Sequence, residues 1–135
     1  MEKKIISIGI ISAIVAVLVI VAALSVESEP QPEIEVVVEA DVIMPTKSSR
    51  PGCEETDSCY IPSVIIAKPG QKITWLNTDA AFHSVTSGTF DEPLDTFDSG
   101  YMDPEETFSL TFDEEGTYDY YCTLHFWMEG KVIVE

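Results

Sequence analysis

The chain predicts an all-β sandwich, and three observations lead there. Seven or eight short runs of β-branched and aromatic residues follow one another after residue 34. Gly- and Pro-containing turns separate them, and no helical periodicity runs through them. At 135 residues the chain has room for one modest domain of this kind.

The first residues are not available to that domain. Residues 5–24 form an uncharged apolar run interrupted only by Ser7, Gly9 and Ser12. That length suffices for a bilayer-spanning helix. Lys3 and Lys4 precede the run and Glu27, Glu29 and Glu33 follow it, which leaves the N-terminus in the cytoplasm and the remainder outside. A cleaved signal peptide is the competing reading. Its apolar core is usually shorter, and Ala22-Ala23-Leu24-Ser25 makes a poor cleavage site. Either reading exports the rest of the chain. The expected organisation is an anchor or signal segment at 1–26, a polar linker at 27–33 containing Pro30 and Pro32, and a β domain at 34–135.

Within the domain each element has its own warrant. Residues 35–43 are β-branched and run up to Pro45, and residues 44–59 form an irregular excursion with Ser48, Ser49, Pro51 and Gly52. Residues 60–67 resume extended structure and stop at the turn Lys68-Pro69-Gly70. Residues 72–77 alternate, Ile73 and Trp75 facing one way, Lys72 and Thr74 the other. A short strand is expected at 83–86. Residues 88–104 are long and polar, with Phe90, Phe97 and Tyr101 spaced through them; they read as a cap over one end of the sandwich, with a short helical turn. Residues 107–112 place Phe108, Leu110 and Phe112 on one face, and the strand 117–122 follows the turn at Gly116. Residues 131–134 close the chain.

Charge excludes one class of partner. The net charge is −17, and only Glu2, Glu27, Glu29 and Glu33 of the 24 acids lie before the domain. Such a surface repels nucleic acid. It can steer a basic protein partner, though solubility alone accounts for any single acid.

Three cysteines make an odd set. Cys53 and Cys59 flank a polar turn that brings their ends together, and an oxidising exterior favours a disulfide there. Cys122 would then remain a free thiol. The other arrangement joins Cys122 to one of the pair and removes it from any other chemistry.

Parity decides where Cys122 points. Tyr118, Tyr120 and Cys122 share a face, while Asp119 and Tyr121 face away, so the Cys122 row is the inner one. The thiol ends that row at the rim, and His125 and Met128 fall in the loop beyond it. Cys122, His125 and Met128 are spaced three apart, and His83 is the chain's other histidine. Two imidazoles, a thiolate and a thioether suit both oxidation states of copper. A thioether is a poor zinc ligand. Nothing marks an oxyanion hole for catalysis by Cys122. Taken singly, His83, Cys122 and Met128 would be ordinary structural residues; their joint occurrence at compatible strand ends makes the candidate site. Around it, Ser84 is placed to hydrogen-bond across to the Cys122 loop, Asn77 to order the turn before His83, and Thr123 to donate near the thiolate. Copper storage or delivery uses the same residues and is the main rival to electron transfer, followed by an open copper site with minor reductase activity.

The segments Trp75-Leu76-Asn77-x-Asp79, His83-Ser84-Val85 and Gly116-x-Tyr118-x-Tyr120-Tyr121-Cys122-Thr123-x-His125-x-x-Met128-x-Gly130 resemble the plastocyanin/azurin family of blue (type 1) copper proteins. The compact ligand loop is closest to that of the amicyanins. The resemblance covers roughly 60–135. It implies a Greek-key, cupredoxin-like sandwich in which His83, Cys122 and His125 are equatorial copper ligands and Met128 the axial one. It also implies one-electron exchange with protein partners outside the cytoplasm, and no substrate turnover. The histidine matching His125 reaches the surface through an apolar docking patch in such proteins, and Phe126 and Trp127 fit that patch or shield the metal. Leu124 and Phe126 depart from the prolines of amicyanin-like loops, which leaves Met128 the least constrained ligand. An anchored, very acidic form resembles membrane-tethered carriers of prokaryotes.

Overall fold

The computed structural model describes residues 39–135. The expected anchor and linker lie outside the described residues, as do residues 35–38 of the strand expected at 35–43. Among the described residues, no helix is long and apolar enough to cross a membrane.

Among the described residues, eight strands form two mixed sheets. They are β1 Val42–Met44, β2 Val64–Ala67, β3 Gln71–Asn77, β4 Thr86–Gly88, β5 Pro93–Asp98, β6 Thr107–Phe112, β7 Gly116–Cys122 and β8 His125–Val134. One sheet has the order β1-β3-β6 and the other β2-β8-β7-β4-β5. Strands β1 and β3 pair in parallel, as do β2 and β8, while the remaining pairs are antiparallel.

The alternating strands face as their sequence requires. Ile73 and Trp75 are fully buried from β3, and Phe112 from β6 closes over them. From the opposite sheet Tyr120, Val132 and Val134 fill the same core. Trp75 meets Tyr120 edge-on at 5.5 Å, and Tyr60 meets the other side of Tyr120 at 4.9 Å. These large aromatic contacts join the two sheets and stand directly beneath the row that ends at Cys122.

Four expectations are corrected. Residues 88–104 carry no helical turn; they contain β5, an edge strand antiparallel to β4. Only Phe97 is half-buried and every other residue, Leu94 included, is exposed, so no alternation marks it. What makes it a strand is tertiary: the Ser87 hydroxyl accepts the N–H groups of Thr96 and Phe97, and Thr86 donates to Asp98. The strand expected at 83–86 begins only at Thr86, because His83 makes a single bridge to Met102. The strand expected at 60–67 begins at Val64, after Pro62, which has no N–H to donate to a ladder. Finally, His125 and Met128 do not lie in a loop. They belong to β8, which starts straight after a two-residue turn, Thr123-Leu124, with Cys122 opposite His125. The register shifts between Tyr121 and Cys122. Phe126, Trp127 and Met128 of β8 fall between the partners of those two residues and form the bulge. Tyr121 keeps its regular pairing with Glu129 and is buried on the outer face, where the Phe90 ring meets it edge-on at 6.5 Å.

The excursion at 44–59 folds over the same end of the sandwich. It contains one 3-10 turn, Glu54–Thr56, and a disulfide between Cys53 and Cys59. Cys122 is free and buried.

Candidate metal centre

Three elements converge at the rim above the core. The segment after β3 carries His83, β7 ends on Cys122, and β8 begins with His125. The Cys122 Sγ lies 3.7 Å from Nδ1 of His83 and 3.5 Å from Nδ1 of His125. The three donor atoms are all within 4.8 Å of one another. His83 and Cys122 are fully buried and His125 is half-buried, so the cluster is enclosed on every side except at one imidazole. Met128 is fully buried on β8 and belongs to the core cluster that contains Cys122.

The tautomer of His83 follows from its partners. Its Nε2 stands 3.1 Å from Oδ2 of Asp79, a buried carboxylate that can only accept. The proton is therefore on Nε2, and the Nδ1 lone pair points at the thiol. Ser48 Oγ, 3.3 Å away, is a second partner for the same N–H. Asp79 is itself well held, accepting N–H bonds from Lys47 at 2.9 Å, Ser49 at 3.0 Å and Ala80 at 2.9 Å. Burial alone would raise its carboxyl. The N–H of Lys47, the His83 ring and Ser49 outweigh that and hold it far below the usual carboxylate range. Both histidines are pushed below their ordinary value, first by burial. Asp79 partly offsets this at His83, and the neighbouring His83 adds to it at His125. Neutral imidazoles with free Nδ1 lone pairs are the form that binds a metal.

The groups around the donors are tied together. Ser84 N–H points at the Cys122 sulfur from 3.4 Å, and the Ser84 hydroxyl bonds Thr123 Oγ1 at 3.1 Å and accepts its N–H at 2.9 Å. The His83 and Cys122 segments are thereby cross-linked by one side chain. Asn77 is fully buried and donates to the carbonyls of Ala81 and Met102 while its own carbonyl accepts the Asp79 N–H. It orders the whole connection from β3 to His83. Tyr60 donates to the Ser84 carbonyl at 2.6 Å, which fixes that residue from below.

Phe126 and Trp127 play different parts. Phe126 is 61% exposed and forms an aromatic surface group with Phe90. Trp127 turns inward, packs on the His125 ring at 5.4 Å, and donates its indole N–H to the Ser48 carbonyl. The sequence reading assigns no site role to Asp79, Ser48 or Phe90. The spacing of Asp79 four residues before His83 is a usable signal, since ligand histidines usually carry a carboxylate partner. Ser48 and Phe90 have no local signal.

Two imidazoles and a thiolate converging at one end of an all-β sandwich define a mononuclear copper protein of the cupredoxin type. The model of the copper binding proteins, plastocyanin/azurin family, matches residues 49–135, and the chain belongs to that family. Copper is its cofactor. The chain is 44% identical over 70 residues to amicyanin of Paracoccus denitrificans, covering 50% of this chain and 52% of that protein, about half its length. It is 33% identical over 93 residues to plastocyanin of Sambucus nigra, covering 62% of this chain and 94% of that one. Among solved structures, a purple cupredoxin from Nitrosopumilus maritimus superposes with a TM-score of 0.65 at 28% identity, over 72% of this chain and all of the other.

Proposed function

We propose that the chain is a type 1 copper protein that carries single electrons between protein partners outside the cytoplasm. In this reading His83, Cys122, His125 and Met128 would hold the copper ion, the two imidazoles and the thiolate strongly and the thioether weakly. The observation that carries it is the convergence of both Nδ1 atoms on the Cys122 sulfur, within 3.7 Å, at the end of a rigid core. Copper, when bound, supplies a one-electron couple between Cu(II) and Cu(I). The protein's part is to keep the donors still. Ser84 and Asn77 brace the His83 and Cys122 segments, Asp79 fixes the His83 tautomer, and the Thr123-Leu124 turn fixes His125 against Cys122. A site that barely rearranges exchanges electrons with little reorganisation.

Contact with partners is supported at the half-buried edge. His125 is the donor nearest solvent, and the exposed Phe82, Phe90, Leu124 and Phe126 supply apolar surface for docking. The acidic remainder of the domain favours a partner with a basic surface. The apolar run at 5–24 supports tethering to the outer face of the membrane, and cell fractionation with protease accessibility tests it. Domain release into the soluble fraction would show cleavage instead.

The copper assignment is tested on the purified full chain loaded with Cu(II). The expected result is an intense visible thiolate-to-copper band with narrow copper hyperfine splitting in electron paramagnetic resonance, both lost in Cys122→Ser. A colourless Cu(II) adduct, or a band that persists in Cys122→Ser, would reject the assignment.

A further inference from the structure

We propose that Ser48 is a positioning residue for both copper-site histidines, and that the Cys53–Cys59 disulfide holds it in place. This rests on the reading of His83 and His125 as ligands. Ser48 is 1% exposed although Lys47 and Arg50 beside it are open to solvent. Its side chain faces the site, with Oγ at 3.3 Å from Nε2 of His83. Its carbonyl accepts the Trp127 indole N–H at 3.0 Å, and the Trp127 ring packs on His125. One residue outside the ligand strands thus touches His83 directly and His125 through a single intermediary.

The neighbours of Ser48 act on the same imidazole. Lys47 and Ser49 donate backbone N–H groups to the two separate oxygens of Asp79. Those bonds stabilise the carboxylate charge and so moderate its pull on the His83 proton. Ser48 Oγ takes a share of that proton as well. Removing either influence leaves Asp79 the stronger acceptor, makes His83 a more electron-rich ligand, and favours Cu(II).

The disulfide stands between the two groups that need holding. Cys53 Sγ lies 3.6 Å from the Ser48 carbonyl oxygen and Cys59 Sγ lies 3.8 Å from that of Trp127. A disulfide sulfur carries no proton, so these are packing contacts and not hydrogen bonds. The bridge fills the space between the loop and β8 and closes a loop of sequence separation 6. Opening it frees the loop that bears Ser48 and unseats Trp127 together with it.

Two measurements on the full chain test this. In the copper-free protein, hydrogen exchange of the Trp127 indole N–H is followed by NMR, with the buried Trp75 as internal reference. Cys53→Ser/Cys59→Ser should speed exchange at Trp127 about tenfold, the worth of one hydrogen bond, and leave Trp75 unchanged. In the copper-loaded protein, Ser48→Ala should move the Cu(II):Cu(I) ratio at fixed ambient potential toward Cu(II) by about tenfold, the worth of about one hydrogen bond redirected to Asp79. Ser48→Ala keeps the disulfide and the carbonyl, so it decides the matter if the double variant does not fold. A wild-type thiolate-to-copper band together with an unchanged ratio in Ser48→Ala would overturn the proposal and leave the copper reading standing. Absence of the band in wild type would overturn both.

Discussion

Nε2 of His83 lies 3.1 Å from Oδ2 of Asp79, and both side chains are buried. This pair orients the imidazole whose other nitrogen faces Cys122. The relationship is set by a local spacing of four residues, but it is completed by backbone donors from a distant loop.

Asp79→Ala should therefore weaken copper binding by about 10–100-fold, the usual cost of losing such a partner. The reduction potential should rise, because a less electron-rich imidazole stabilises Cu(II) less. The copper-free domain should also lose about 1–3 kcal/mol, since N–H groups of Lys47, Ser49 and Ala80 lose their acceptor. Competition titration with a copper chelator and urea denaturation measure the two effects. Wild-type affinity in the variant would show that Asp79 serves the loop alone.

Met128→Ala should alter both the visible spectrum and the potential, the latter upward, as expected when a weak axial thioether is removed. Truncating this fully buried side chain should separately cost about 2–5 kcal/mol in the copper-free protein. A destabilised variant with an unchanged spectrum and potential would place Met128 in the core only.

Gly130→Ala probes the packing under the site. An added Cβ would stand 2.5 Å from Cε2 of Tyr120 and nearer still to its Cζ and hydroxyl. Tyr120 is fully buried between Tyr60 and Trp75 and has nowhere to move. The expected loss is about 1–3 kcal/mol or more, as for an overpacked core. Thermal denaturation with full refolding measures it, and a neutral result would mean that β8 can shift against β7.

The copper-free domain should lose stability as pH falls below the ordinary histidine value of about 6.5. Both histidines titrate lower in the folded chain, so unfolding takes up protons in that range; their contribution is complete above it and declines below it. The lowered Asp79 carboxyl has the same sign, with its contribution lost only in strong acid. Acidification also relieves repulsion among the acids, so the comparison is with His83→Gln at about pH 7.5 and about pH 5.5. The stability difference should move in the variant's favour at the lower pH. A difference independent of pH would contradict the neutral, buried state of His83.

Much of the architecture was legible because period-two alternation survives wherever one face is buried. Ile73 and Trp75, Phe108 and Phe112, Tyr118 and Tyr120 all declare their side. Strand β5 was illegible because it is an edge strand with no inward row, held by Ser87 and Thr86. The Cys122–His125 hairpin was illegible for a different reason. Thr123-Leu124 has none of the Gly, Asn or Asp chemistry that announces a two-residue turn. The bulge of Phe126, Trp127 and Met128 on β8 likewise has no sequence mark.

By itself the sequence determined the class of the domain and nominated the candidate donors, because alternation and residue chemistry are local properties of the chain. It named His83, Cys122, His125 and Met128, and it placed Ser84 and Asn77 beside them. Only the tertiary structure decided how those donors are held. The loop carrying Ser48, the contact of the Cys53–Cys59 bridge with Trp127, and the N–H groups that reach Asp79 all join residues at least 30 positions apart. Such pairings depend on how the two sheets and the excursion close on each other, and no local pattern carries that information.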